Sequence, residues 1–397
     1  MSTFVVGPVP VFDPELEALT GDRFIIVEDG TIVDVLDASA SVPASATRIA
    51  AEGKVAIPGL IDCHVHLCYD GDPSRFTAPT EKPGTLAALA MKAMREQVAA
   101  GVTTVRDCGA PDGMVIQLRD AVDQGLIFGP RIVAAGRMLT MTGGHGWQIG
   151  RIVDGVDSAT RGARAEIAEG ADFIKLMATG GVVTKGVQPE QVTLQPEEIA
   201  AIVRAAHEAG RRVTAHSTGV QGTKNAIRAG IDSIEHGVNL DDEAVSMLLE
   251  QGTALVPTLL AVRRIVARRD SVPAWMAEKA IAAQALHEHS IRLAVERGVQ
   301  IAAGTDAGTP FNPHGSLPDE VQALTDVGLT PGAALAAATL GGARNLGIAD
   351  ITGTIEPDKA ADIVLLDGDP TVDLAVLRSP SQVIVRGRMW APESLVQ

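Results

Sequence analysis

Along the middle of the chain, short apolar runs ending in glycine or a polar residue alternate with alanine-rich stretches. The runs are LIDCHVHL from Leu60, VTTVRDCG from Val102, RIVAAG from Arg131, FIKLMA from Phe173, RVTAHS from Arg212, SIEHG from Ser233, ALVPTL from Ala254 and IAAGTDAG from Ile301. Runs so short and so apolar predict strands buried on both faces, as in a parallel sheet. The stretches between them, among them 86–99, 196–208, 241–250 and 273–296, read as helices. Eight strand–helix units in succession predict an α/β fold of the (β/α)8, or TIM, barrel type. An open doubly wound sheet is the alternative, but no GxGxxG turn follows an early strand to support it.

The two ends are patterned differently. Residues 23–35, RFIIVEDGTIVDV, place two apolar runs around Asp29-Gly30, a hairpin signal. DIVLLDGDP from Asp362 and QVIVRGRMW from Gln382 are short β runs with turn dipeptides. Both ends are therefore expected in one small β-sandwich domain, 1–58 with 353–397, covering one side of a barrel of residues 59–352. No functional site is expected in the smaller unit.

A length of 397 residues, 46% of them hydrophobic, can bury a large core and fits one large domain with a minor one. Lys and Arg number 33 against 49 Asp and Glu, a net charge of −16. Such a surface repels nucleic acid and anionic membrane, and 3% aromatic residues supply few platforms for stacking bases. The N-terminal residues lack a basic-then-apolar leader and no run is long enough to span a bilayer, so a cytoplasmic protein is expected. Cys63, Cys68 and Cys108 lack zinc-finger spacing and read as buried, reduced thiols.

What changes this picture is where the polar residues fall. Most of the apolar runs carry a His, Lys or Asp near the C-terminal end, the face that holds the active site of a TIM barrel. His64 and His66, two apart on a strand, point to one side while Val65 faces the helices, an arrangement that suits a metal ion. His287 and His289 share that spacing but lie in a helical stretch, where residues two apart diverge, so both are expected to be solvated. Lys175 interrupts FIKLM; it must be neutral, be paired or reach the rim. A neutral amine could add carbon dioxide, and the carbamate would have two oxygens for two cations. His216 and His236 close their runs, and with His64 and His66 they make a four-imidazole set that packing alone does not explain. Asp306 follows Gly304-Thr305. Because Pro310 and Pro313 stand where a helix would begin, a metal ligand or general base fits it better than an N-cap. Arg106 and Asp107 are expected to form a structural ion pair, and His207, on a helix, is expected to be structural.

Taken in order, His64-x-His66 after AIPGLID, Lys175 in FIKLMATGG, His216, His236, and Asp306 in GTDAG, the sequence resembles the amidohydrolase superfamily over almost its whole length. GTIEPDKAAD from Gly353 is also typical of that family, and TTVRDCG and TGGHG point to a subgroup with Xaa-Pro dipeptidases (prolidase-like) and imidazolonepropionase-like enzymes. The resemblance implies a binuclear metal-dependent hydrolase. It would cleave a C–N bond of a small-molecule amide or peptide substrate, such as a dipeptide or N-acyl amino acid, through a metal-bridging hydroxide. The two divalent ions would be zinc, with manganese or cobalt as alternatives. His64, His66 and Asp306 would bind the more buried ion, His216 and His236 the other, and Lys175, carrying carbon dioxide as a carbamate, would bridge them. Asp306 would also be the catalytic proton carrier. His145 would contact the substrate, His314 is expected to line the pocket, and a homo-oligomer is expected.

One position departs from the family pattern. Peptidase-like relatives often carry a tyrosine two residues after the fifth-strand histidine. Here that residue is Thr218, and the one tyrosine of the chain is Tyr69. A cyclic-amide substrate is therefore an alternative. A mononuclear deaminase would not need Lys175, and a catalytically silent barrel subunit would have lost metal ligands that are all present here. Specificity is expected to lie in the loops 68–84, 140–151 and 179–192.

Overall fold

The computed structural model describes residues 3–77 and 81–390. Residues 391–397 of the expected small domain and three residues of the 68–84 loop lie outside the described residues. Seven of the eight apolar runs form parallel strands. β1 (Leu60–Val65), β2 (Val102–Asp107) and β3 (Arg131–Ala134) make a three-stranded sheet in that order. β4 (Phe173–Met177), β5 (Arg212–Ser217), β6 (Ser233–His236) and β7 (Ala254–Val256) are neighbours in a six-stranded sheet, whose other edge holds Leu139–Thr140 and Arg151–Ile152. Every residue of β1, β2, β4, β6 and β7 is buried, which is why these runs show no apolar–polar alternation. Helices Pro83–Ala99, Met114–Asp123, Val156–Ala168, Pro196–Glu208, Val220–Arg228 and Asp242–Gln251 follow β1 to β6 in turn. Leu259–Ala267 and Ala274–Glu296 follow β7.

The eighth run departs from the expected strand. Residues 301–308 make only the isolated bridges Leu255↔Ile301 and Val65↔Ala307. Backbone hydrogen bonds still tie the segment on both sides: Ala302 N donates to Leu255 O at 3.0 Å, Cys63 N to Ala303 O at 2.9 Å and Asp306 N to His64 O at 2.7 Å. The local reason is steric and conformational. Gly304 lies flush between its neighbours, where a Cβ would sit 2.6 Å from Val256 Cγ1 and 3.0 Å from His64 N. Asp306, with φ 60°, then breaks the pleat. Between the two sheets, Asp172 N donates to Ala134 O at 2.8 Å.

Both chain ends enter one eight-stranded sheet. Thr3–Asp13 pairs antiparallel with Ala18–Glu28, which pairs with Thr31–Asp37 across the expected turn; Asp29 and Gly30 take φ of 46° and 88°, as a tight hairpin turn requires. On the other side of Thr3–Asp13 come Val55–Pro58, Ile363–Leu366, Gln382–Val385 and Arg388–Trp390. Phe4, Val9, Ile25, Ile32 and Ile363 form a core of this sheet's own. Asp362 fastens it to the parallel strands: its carboxylate accepts from Arg131 at 3.2 Å and its carbonyl accepts Gly59 N at 2.8 Å. No helix among the described residues is long and apolar enough to cross a membrane.

Candidate metal centre

The C-terminal ends of β1, β4, β5 and β6 converge with the 301–308 segment on a cavity of about 80 Å³. His64, His66, His145, Lys175, His216, His236 and Asp306 all line it, and all are buried. Strand periodicity explains only part of this convergence. Glu235 and His236 are neighbours and would alternate to opposite faces. The left-handed φ of 71° at His236 breaks that alternation, and both side chains reach the interior. Thr258, φ 53°, and Asp306, φ 60°, hold the same conformation; non-glycine residues kept there concentrate at functional sites.

The four strand-end imidazoles each commit one ring nitrogen to the protein. His64 Nδ1 meets Glu235 Oε2 at 2.7 Å, and His66 Nδ1 meets the Gly109 carbonyl at 3.0 Å. His216 Nε2 meets the Gly180 carbonyl at 2.9 Å, and His236 Nδ1 meets Thr258 Oγ1 at 2.6 Å. Such bonds fix tautomer and ring direction, as they do around metal-binding histidines. The second nitrogens of His64 and His66 lie 3.4 and 3.3 Å from Asp306 Oδ1. The rings form a chain, with centroids 5.5 Å apart for His66–His64, 5.1 Å for His64–His236 and 4.4 Å for both His236–His216 and His216–His145. One donor atom each from His64, His236 and Asp306 lie within 4.8 Å of one another, close enough to share an ion.

Charge and burial favour the same chemistry. Burial, reinforced by neighbouring cationic groups, holds His64, His216 and His236 well below the usual histidine range, so these imidazoles are neutral and able to ligate. Burial also opposes charge on His66, but the hydrogen bond and charge of Asp306 outweigh it and raise its pKa. Lys175 is 1% exposed, and its Nζ has no hydrogen-bond partner among the described residues. A buried ammonium in that state is strongly disfavoured, and burial pushes its pKa down toward the neutral amine. Neutral imidazoles, a carboxylate and an orphaned amine fit divalent cations.

Glu235 has no signal of its own in the sequence, because its partners lie on other strands. It accepts from Arg106 Nη2 at 2.6 Å as well as facing His64, and Thr214 Oγ1 also donates to it. Arg106 therefore pairs with Glu235 and not with its neighbour Asp107, because adjacent strand residues face apart. Asp107 instead accepts Leu67 N at 2.7 Å and Gly109 N at 3.0 Å, shaping the backbone around His66. Arg106→Ala leaves the buried Glu235 carboxyl without its guanidinium partner, and the variant is expected to lose about 3–5 kcal/mol of stability. Denaturant unfolding reads this directly; a loss below about 1 kcal/mol would show that Glu235 does not depend on Arg106.

His287 also corrects the expectation. It is 1% exposed, and its Nε2 donates to the His236 carbonyl at 2.9 Å, because helix Ala274–Glu296 turns that residue onto the end of β6. His289, two residues on, is exposed as expected. His207 meets Asp232 at 2.9 Å, away from the cavity. His145 Nδ1 meets Thr184 Oγ1 at 2.8 Å, and Gly181 makes room for its ring, since a Cβ there would lie 2.5 Å from it. Thr218 lines the cavity, but its hydroxyl is committed to the backbone: its single hydrogen faces the Pro189 carbonyl at 2.6 Å, with the Gly180 carbonyl also within reach at 2.9 Å. Tyr69 lines the same cavity from the loop after β1. His314 stands apart: it borders a neighbouring groove, and its Nε2 donates to the Tyr69 carbonyl at 2.8 Å.

Residues 55–390 match the model of the amidohydrolase family. An ochratoxinase of Aspergillus niger is 31% identical over 363 residues, covering 83% of this chain and 73% of that protein. An imidazolonepropionase of Nocardia farcinica is 27% identical over 406 residues, covering 93% of this chain and 92% of the relative. Among solved structures, a Xaa-Pro dipeptidase with methionine bound in its active site matches with a TM-score of 0.91 at 32% identity, over 98% of this chain and 100% of that one.

Proposed function

The chain belongs to the amidohydrolase family, and on that premise we propose that it hydrolyses an amide or peptide-like C–N bond of a small molecule with two divalent metal ions. The observation that carries this reading is Lys175: a buried amine with no hydrogen-bond partner among the described residues, set among four strand-end histidines and an aspartate. The reading takes the two parallel sheets and the 301–308 segment as arcs of one (β/α)8 barrel of residues 59–352, with 1–58 and 353–397 as a separate β-domain. The backbone hydrogen bonds of 301–308 to β7 and β1, and of Asp172 to Ala134, support that closure.

His64, His66 and Asp306 would hold one ion, and His216 and His236 the other. The Lys175 amine would add carbon dioxide and release one proton; the resulting carbamate would serve both ions. When bound, a pair of divalent ions polarises a carbonyl and lowers the pKa of a shared water. Around that chemistry the protein supplies position and proton movement. Glu235 and Thr258 orient His64 and His236. Asp306, with Oδ1 facing both His64 and His66, takes the proton of the attacking water and delivers it to the leaving nitrogen. His145, held by Thr184, contacts the substrate.

Metal analysis of the purified protein is expected to give near two equivalents of zinc, manganese or cobalt. Chelation is expected to abolish hydrolysis, and re-addition of the ion to restore it. One equivalent with full activity would favour a mononuclear deaminase; no uptake at all would leave a silent barrel. Thr218, bonded to backbone carbonyls, favours a second substrate reading in which a cyclic or other non-peptide amide replaces the dipeptide.

A further inference from the structure

Part of the cavity's wall has a different chemistry from the ligand set. Val182 and Val183 of the 179–192 loop, Val238 just past β6, and Val262 and Ile265 of helix Leu259–Ala267 all line it. They pack as one hydrophobic cluster against helix Ala274–Glu296. Lys279, on the helix packed behind that wall, is turned to another task. Its ammonium donates to the carbonyls of Val187 at 2.5 Å, Thr184 at 2.8 Å and Gly181 at 3.4 Å, so all three hydrogens hold the loop and none faces the cavity. Among the described residues no arginine lines the cavity, and the one lysine that does is Lys175. Residues 1–2, 76–80 and 391–397 contain neither lysine nor arginine.

A carboxylate set against these valine and isoleucine side chains would lose its hydration with no side-chain cation or donor of the wall to replace it, since Gln148, His145 and Thr184 line other parts of the cavity, whereas an aliphatic or aromatic group would gain by leaving water. We infer that the wall is a subsite for an uncharged apolar group: the preferred substrates are neutral amides bearing such a group beside the scissile bond and no free carboxylate there. This rests on the C–N hydrolase reading of the same cavity.

The test compares two matched pairs on the metal-loaded enzyme. N-acetylphenethylamine and N-acetyl-L-phenylalanine differ by one carboxylate and report hydrolysis. Their N-methylsulfonyl counterparts resist hydrolysis and report affinity by calorimetry. The neutral member of each pair is expected to be favoured at least about tenfold, in kcat/KM and in Kd. An acid that binds or reacts as well as its neutral partner overturns the subsite, as does failure of both sulfonamides to bind at millimolar concentration. A tenfold binding preference without hydrolysis of any amide would overturn the hydrolase reading and leave the subsite standing. Val183→Lys, which adds a cation at a half-buried edge of the wall, is expected to narrow or reverse the preference. An unchanged ratio in the folded variant would remove this wall from the subsite.

Discussion

Asp306→Asn is expected to lower turnover by roughly 10²–10⁴-fold, the range of a lost general acid–base group, while leaving the protein folded. Asparagine matches the shape of aspartate and tolerates the left-handed φ of 60° that this position requires. The backbone bond from residue 306 to the His64 carbonyl at 2.7 Å is untouched. What disappears is the negative charge at Oδ1, 3.3 Å from His66 and 3.4 Å from His64. Its loss has a second signature that needs no turnover. Asp306 is the main cause raising the pKa of His66 against its burial, so in the metal-free variant the His66 pKa should fall, as histidine NMR titration would show. Normal turnover in a variant with confirmed metal loading would remove Asp306 from the proton-carrying role.

Lys175→Ala is expected to act earlier, on assembly of the centre. If Lys175 supplies the proposed bridging anion, its loss leaves the repulsion between two cations less compensated, so metal content should fall below two equivalents and hydrolysis with it, by at least about 100-fold. The fold should tolerate the change in charge, since the amine it removes has no hydrogen-bond partner among the described residues; the cost is the vacated volume, about 2–4 kcal/mol for a large buried side chain cut to alanine. Acetate, which brings two carboxylate oxygens and fits such a space, should restore part of both metal content and activity. A variant that still holds two ions and turns over normally would rule out the carbamate.

The residues that could be read from the sequence are those whose position depends on one strand alone. His64 and His66 follow the two-residue period of β1, and Lys175 is conspicuous as a charge inside an apolar run. The hairpin at Asp29-Gly30 is a local property of those two residues. The partners could not be read, because each depends on a contact across elements. Glu235 shares a face with Ser233 by the strand period, but its partners His64 and Arg106 lie on other strands; His236 joins that side only by leaving the regular pleat, and nothing in SIEHG specifies that φ. Arg106 lies next to Asp107 in the chain but beside Glu235 in space. His287 looked solvated because helical spacing says which residues share a face, not which face is covered. The eighth run was expected as a strand from its composition, but close packing at Gly304 and the turn at Asp306 leave it as isolated bridges.

The 179–192 loop touches both halves of the cavity. Its Gly180 carbonyl orients His216, its Thr184 hydroxyl orients His145, its valines face the apolar wall, and Lys279 clamps it through three carbonyls. Substitutions at Gly180 or Thr184 are therefore expected to disturb a histidine along with the pocket, whereas Val182 and Val183 carry no such bond. Helix Leu259–Ala267 is less constrained in this respect: Val262 and Ile265 line the wall, and no hydrogen bond from their side chains reaches the imidazoles. The pocket can therefore be reshaped one side chain at a time at Val262 and Ile265 while the loop that orients His216 and His145 stays fixed.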